Sequence, residues 1–384
     1  MKIDVMTKDK DIKTTVPTLR FREFQNDARW IPNKIDHVCK IGNGRDYKHL
    51  SAGNIPVYGS GGYMTSVDKF LYDGESVCIG RKGTIDKPIF LTGKFWTVDT
   101  LFYTYAFHKC LPKFLYLIFQ QINWYKYNEA GGVPSLLKTT IGNINIFIPN
   151  NENEQKNIVD CFSSLDDLIN AVADKIETLK EYKKGLMQQL FPAEGKTTPA
   201  FRFPEFQNKG EWEESTLGDI CDMQAGKFVS ASEICDVKKD TMYPCYGGNG
   251  LRGYTHSFTH FGIYPLIGRQ GAQCGNITYA EGKFHATEHA VVVTLKKDID
   301  IRWLYYQLIK LDLNQYATGQ AQPGLSVDVI KKVTIRIPKN KNEQQLIACG
   351  LFSVDELIST ETAKLDQLKA HKKGLMQQLF PKLQ

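Results

Sequence analysis

The run His285-Ala286-Thr287-Glu288-His289 carries the residue types of an inverted zinc-protease pattern, H-x-x-E-H. That chemistry needs helical spacing, which sets both imidazoles on one face within reach of one ion. Here the run passes straight into Ala290-Val291-Val292-Val293, so an extended backbone is expected. Extended, the two histidines stand about 13 Å apart, too far to share a metal. His256 and His260 repeat the spacing without a carboxylate partner, and read as a loop pair. No G-x-x-x-x-G-K-[ST] phosphate loop, no G-x-S-x-G elbow and no N-P-P-Y or D-P-P-Y run occurs; Asp86-Lys87-Pro88-Ile89-Phe90 has lysine where the first proline would stand. No catalytic residue and no metal ligand is assigned.

A second set of polar residues sits on glycine-rich turns, and it occurs twice. Pro56-Val57-Tyr58-Gly59 runs into Ser60-Gly61-Gly62-Tyr63; Pro244-Cys245-Tyr246-Gly247 runs into Gly248-Asn249-Gly250-Leu251-Arg252-Gly253-Tyr254. Farther on come Ile79-Gly80-Arg81-Lys82-Gly83 and Ile267-Gly268-Arg269-Gln270-Gly271. The candidates are Tyr58, Ser60, Tyr63, Arg81, Lys82 and Lys94 in the first copy. In the second they are Tyr246, Asn249, Arg252, Tyr254, Arg269, Gln270 and Gln273. Directional donors and acceptors on turns suit recognition rather than bond breaking.

The elements that carry these turns are duplicated. Leu179 to Pro192 recurs as Leu368 to Pro381, a shift of 189 residues, with twelve of fourteen residues identical. The opening segments match as well: Thr15 to Trp30 and Thr197 to Trp212 share Pro, Arg-Phe, Glu-Phe-Gln-Asn and Trp. The repeated stretch closes a long helical pattern. Apolar residues fall at Leu165, Ile169, Val172, Ile176, Leu179, Leu186 and Leu190, with Lys183 interrupting. The second copy has Ile358, Leu365, Leu368, Leu375 and Leu379, with Glu361 and Lys372 interrupting. Spacing of three and four residues is that of a coiled-coil seam. Asn151 stands three before Glu154, and Asn340 three before Glu343, as in a capping box. Each helix stops at Phe-Pro. The first spans about 60 Å at about 1.5 Å per residue. Gly185 and Gly374, which cost about 1 kcal/mol each in a helix, imply close approach of another backbone, the partner helix or another protein.

Short β-rich runs (Ser76–Ile79, Ala290–Leu295, Asn145–Ile148, Thr334–Ile337) and two helical runs (Leu111–Trp124, Ile301–Leu311) complete an α+β reading. The expected division is a flexible tail over 1–14, a globular domain over 15–150, a helix over 151–192, a second domain over 193–339 and a second helix over 340–384. The linker is Gly195-Lys196-Thr197-Thr198-Pro199.

Composition agrees with a soluble globular protein: 384 residues, 42% hydrophobic, 23% charged. No apolar run is long enough to cross a bilayer, and the first residues do not read as a signal peptide. Nine scattered cysteines without a C-x-x-C pair point to reduced thiols and a cytoplasmic setting. A net charge of +6 permits nucleic-acid binding without requiring it.

The constellation resembles the specificity subunit of type I restriction-modification enzymes. The resemblance covers almost the whole chain after the tail. It is carried by Pro149 to Gln155 and Pro338 to Gln344 at the helix starts, the Lys-Lys-Gly-Leu-Met-Gln-Gln-Leu-Phe-Pro ends, the Arg-Phe-x-Glu-Phe openings and the Tyr-Gly turns. It implies two target recognition domains, each reading one half of a split DNA sequence, and an antiparallel coiled coil setting the spacer. It implies two modification subunits carrying S-adenosylmethionine and two restriction subunits using ATP and Mg, with no cofactor on this chain and no membrane partner. Docking of modification subunits then falls on the repeated helix ends: Lys183, Gly185, Met187 and Gln188, with Lys372, Gly374, Met376 and Gln377. For double-stranded DNA the turn residues gain a specific meaning: Arg pairs with guanine, Asn or Gln with adenine, and the four tyrosines with sugar or phosphate. Two rival readings are a stand-alone DNA-modifying enzyme and a coiled-coil scaffold that reads no DNA. Methylation by the purified chain alone would favour the first; co-purification of proteins without sequence-specific binding would favour the second.

Overall fold

The computed structural model describes residues 15–271, 273–319 and 323–381; residues 1–14, read as a tail, lie outside the described residues. Contacts gather the chain into two compact units. One runs to Val172 and resumes at Lys364; the other spans Ala173–Ala363.

In the first unit, strands Lys40–Asn43, Leu101–Tyr105, Ser76–Gly80 and Ile89–Leu91 form an antiparallel sheet in that order. The run Ser-Val-Cys-Ile-Gly is buried at every position, as a strand covered on both faces must be. A second sheet has the order Gly62–Val67, Ala52–Gly59, Lys94–Thr97, Tyr72–Asp73. Helix Pro112–Phe119 opens on a proline, whose missing N–H costs nothing in the first turn. It ends earlier than the expected Leu111–Trp124. Trp124 starts a 3-10 turn and donates its Nε1–H to Phe119 O at 2.9 Å.

The second unit carries one six-stranded sheet in place of two four-stranded ones. Its long hairpin, His260–Gly268 with Ile277–Ala286, sets Gly262 opposite Gly282, both at positive φ. The first unit interrupts the same hairpin at the corresponding glycines, Gly74 (φ +146°) and Gly93 (φ +71°). A glycine pair thus tolerates the kink in one copy and a continuous ladder in the other.

Each unit closes on a clasp that joins the opening segment to a helix start. Glu154 is 1% exposed; it accepts from Arg20 Nε and Nη2, both at 2.7 Å, and from Trp30 Nε1 at 3.0 Å. Glu343 does the same for Arg202 Nε (2.7 Å), Nη2 (2.8 Å) and Trp212 Nε1 (3.1 Å). The neighbouring Gln155 accepts from Leu111 N and donates to Lys109 O, and Gln344 accepts from Asp300 N. The expected capping boxes are therefore half made. Asn151 and Asn340 accept from the backbone N–H two residues on. The glutamates turn inward instead, because a buried guanidinium outbids an exposed backbone N–H for a carboxylate.

Two helices of 39 residues, Glu152–Leu190 and Lys341–Leu379, each contribute to both units. In the first unit Asp166 Oδ1 meets Lys372 Nζ at 2.5 Å, and the rings of Phe162 and Phe380 are 6.2 Å apart. In the second, Lys183 Nζ meets Asp355 Oδ1 at 2.6 Å, and Lys175 Nζ meets Glu361 Oε1 at 2.5 Å. Residue numbers rise along one helix as they fall along the other, so the paired segments are antiparallel within each unit. The charged residues that interrupt the apolar pattern thus face charged partners, and Asp166–Lys372 and Asp355–Lys183 are one contact under the 189-residue shift. The Phe-Pro ends are buried: Phe380 against Phe114, Trp30 and Phe162, Phe191 against Trp212 and Trp303. A β-carbon at Gly185 or Gly374 would meet nothing within 4 Å. The expected close approach of the partner helix is not found, and the helices do not fray there.

Candidate nucleic-acid interface

In the first unit Ser60-Gly61 joins strands Ala52–Gly59 and Gly62–Val67 in a two-residue turn, with Gly62 at φ +108°. A register shift between Val57 and Tyr58 twists the hairpin. The turn over 81–83 packs against its tip: a β-carbon on Gly83 would lie 3.3 Å from Ser60 Oγ. Arg81 N and Lys82 N both donate to Thr100 O, at 2.8 and 3.3 Å. The Arg81 guanidinium reaches Asp99 O at 3.4 Å and lies 6.0 Å from the Phe102 ring centroid, otherwise exposed. A fourth segment completes the group: Gly83 N donates to Pro134 O and Leu136 N to Arg81 O, both at 2.9 Å.

The second unit builds the same four-part group from other side chains. Gly248-Asn249 is the hairpin turn, with the same register shift between Cys245 and Tyr246. Gly268 must be glycine, since a β-carbon there would fall 1.9 Å from Gly248 O. Arg269 N donates to His289 O (3.0 Å), Gly271 N to Pro323 O (3.0 Å) and Leu325 N to Arg269 O (2.9 Å). A cavity of about 410 Å³ lies at this tip, lined by Gly247 to Arg252 and His289.

The fold brings together Tyr58, Ser60, Tyr63, Arg81 and Lys82 in one unit and Tyr246, Asn249, Arg252, Arg269 and Gln270 in the other. Tyr63 is exposed, with its ring 6.1 Å from that of Tyr58. Tyr246 leans on Phe284, and burial raises its phenol pKa. Tyr254 pairs its backbone with Cys235. Lys94 does not join the turns: it opens its strand opposite Asp73, 5.1 Å from the Phe70 ring centroid. Gln273 lines a different cavity, with Asn276, Ile309 and Asn314. Sequence reasoning missed Asp99, Thr100, Pro134 and Ser135, and Glu288, Pro323 and Gly324. The signal was present: Pro134-Ser135-Leu136 and Pro323-Gly324-Leu325 recur at the 189-residue shift.

His285 is 5% exposed and belongs to the strand, donating from Nε2 to Lys227 O at 3.0 Å, with Nδ1 3.2 Å from Ser257 Oγ. Its repeat partner Trp96 donates to Arg45 O at 2.7 Å, the same loop position, so the histidine is a structural substitute for an indole. Among the described residues no cluster of three His, Cys, Asp or Glu could hold a metal ion.

A family model described as "Type I restriction modification DNA specificity domain" matches residues 28–181 and again 209–370. The chain belongs to this specificity-subunit family. It is 38% identical over 165 residues to the type I restriction enzyme EcoprrI specificity subunit of Escherichia coli, a match spanning 43% of this chain and 41% of that protein. It is 27% identical over 346 residues to the MjaVIII specificity subunit of Methanocaldococcus jannaschii, covering 81% and 77%. In fold it is similar to the S subunit of the type I restriction-modification system from M. genitalium, with a TM-score of 0.72, 18% identity, and coverage of 96% of this chain and 100% of that one.

The repeated helix ends of this specificity subunit are partly spoken for. Lys183 and Lys372 are engaged by Asp355 and Asp166. Met187 and Met376 are largely buried in the cores of their units. Gln188 and Gln377 are exposed. In the first unit a cavity of about 840 Å³ is lined by Gln120, Gln121, Lys369, Lys373, Met376 and Gln377. No helix among the described residues is long and apolar enough to cross a membrane.

Proposed function

We propose that this chain is the non-catalytic DNA-reading subunit of a type I restriction-modification complex. Each unit reads one half of an asymmetric bipartite site in double-stranded DNA. The observation that carries this is the doubled four-part turn group, held by the same backbone bonds in both units but faced with different side chains: Arg81, Lys82 and Thr100 against Arg269, Gln270 and His289. A shared scaffold with unlike faces is what an asymmetric target requires.

The two long helices act as an antiparallel coiled coil that fixes the spacer between the half-sites. The register of that pairing is set by the matched ion pairs, since a charged residue in an apolar seam penalises every alignment but one. Modification subunits dock on the helix ends, where Gly185, Gln188, Gly374 and Gln377 leave surface for another backbone. S-adenosylmethionine, ATP and Mg belong to the modification and restriction subunits, two of each. The cytoplasm is the setting for this assembly.

The test is methylome sequencing of cells with and without this chain. The expected result is one split adenine-methylation motif with unlike halves that vanishes on deletion. An unchanged methylome in cells that express the modification subunits would refute the reading. Methylation by the purified chain alone would replace it with that of a stand-alone enzyme.

A further inference from the structure

The geometry points to His289, beside Glu288, as a side chain that reads the exocyclic amino group of one base in the half-site of the second unit. This inference rests on the DNA-reading function above.

His289 sits in the last turn of the H-x-x-E-H run, and this turn is fixed from every side. Thr287 N donates to Tyr246 O at 2.9 Å, Ala290 N to Thr287 O at 2.9 Å, and His289 N to Thr287 Oγ1 at 3.4 Å. His289 O accepts Arg269 N at 3.0 Å. The backbone therefore joins the two turns that carry Asn249 and Arg269, and His289 lines the cavity there with Asn249 and Arg252. A side chain presented from so constrained a turn is pre-positioned for recognition.

Glu288 Oε1 lies 3.2 Å from His289 Nε2. A negative charge this close favours the ring proton on Nε2, and that tautomer of the neutral ring leaves Nδ1 as an acceptor. An acceptor in the major groove matches adenine N6 or cytosine N4, the amino groups exposed there. The turn group is also incompletely satisfied within the chain. Arg269 Nε and Glu288 Oε2 are buried without a hydrogen-bond partner among the described residues. Native folds leave few such atoms, and here the donor belongs to Arg269, whose backbone N bonds His289 O, and the acceptor to Glu288, the residue before His289. In the first unit the corresponding position is Thr100, whose carbonyl accepts Arg81 N at 2.8 Å. The two units thus keep one backbone bond and exchange a hydroxyl for an imidazole.

The experiment is selection of bound sequences from a randomised duplex pool. It compares the full chain, co-purified with its modification subunits, with His289→Ala, His289→Thr and Glu288→Gln. His289→Thr copies the first unit and guards against misfolding. The expected result is relaxed preference at a single position in one half-site for both His289 variants, with the other half-site unchanged. Glu288→Gln should weaken preference at that position without lowering affinity for random duplex. Duplexes whose base at that position lacks its amino group should bind the parent about three- to tenfold more weakly and His289→Ala unchanged. Identical selected sequences for parent and variants would overturn the inference and leave the DNA-reading function standing. A uniform loss of affinity with a reduced salt slope would mark a phosphate contact and overturn it too. Relaxation at the position without any effect of the missing amino group would overturn the assignment of that group. A parent chain that selects no sequence at all would overturn the reading function itself.

Discussion

Arg20 and Glu154 stand 134 residues apart in the chain and 2.7 Å apart in the fold. The hydrogen bonds to Glu154 raise the guanidinium pKa above its usual value, although burial opposes them. Both side chains are nearly excluded from solvent, at 6% and 1% exposure, so removing one strands the other. Glu154→Ala should cost about 3–5 kcal/mol in the unit it belongs to. The double variant with Arg20→Ala should cost less than the sum of the singles. Urea unfolding of the four chains of that cycle checks this, and an additive result would show that the clasp is not a coupled pair. The spacing Asn151 to Glu154 is legible in sequence, but its meaning is not, since a capping box and a long-range clasp share one local pattern. Arg81 and Arg269 match in the repeat yet differ in setting, the first exposed and the second half-buried. If each reads a base edge, alanine at either should cost about 1–3 kcal/mol and relax only its own half-site. Binding measured against single-base variants of the motif distinguishes this from a uniform loss.

Helices and strands were mostly readable because their periods are local. The expected strands at 76–79, 145–148, 290–295 and 334–337 are found at those places or within one residue. The join of two sheets into one was not readable, because it turns on whether a glycine pair bends or continues a ladder. The mid-helix glycines were visible, but the space around them was not. With nothing within 4 Å of either added β-carbon, Gly185→Ala and Gly374→Ala should stabilise the free chain by about 0.5–1 kcal/mol each. If a partner's backbone seats there, the same changes should weaken assembly with the modification subunits, as measured by titration calorimetry. Equal assembly would place the docking contact elsewhere. The helices can also be lengthened in register. Seven residues added after Asn170 and seven after Gln367, between the Asp166–Lys372 and Lys175–Glu361 pairs on both helices, add about 10 Å to each helix and keep the seam in phase. The expected outcome is a spacer longer by about one to three base pairs, at about 3.4 Å per pair, with both half-sites intact. Active methylation with an unchanged spacer would show that the helices do not set it.

For the whole molecule, the duplication was the most legible feature, and it predicts that the units are exchangeable. Replacing residues 30–148 by the corresponding segment of another family member should change one half of the methylated motif and preserve the other. The incoming segment must bring its own tryptophan for Glu154 and a ring for Phe380 to stack on, as Trp30 and Phe114 do here. Sequencing the methylome of the chimera decides the matter: both halves changing together would refute independent reading. Base identity stayed illegible because it depends on where the Arg81, Asn249 and Arg252 side chains point in the groove, which the chain's own pattern does not encode.

The buried Phe380 has a consequence for the order in which the protein is made. A ribosome releases the chain from its first residue onward, at about 5–20 residues per second. The core of the second unit draws on Met187 to Leu351 and is complete once that stretch has emerged. The core of the first unit begins at Trp30 but also needs Met376, Leu379 and Phe380. The unit that is synthesised first is therefore the last to close. Until its final helix arrives, Trp30, Phe114 and Phe162 lack the ring they pack against. During that interval the nascent first unit exposes apolar surface of the kind that aggregates.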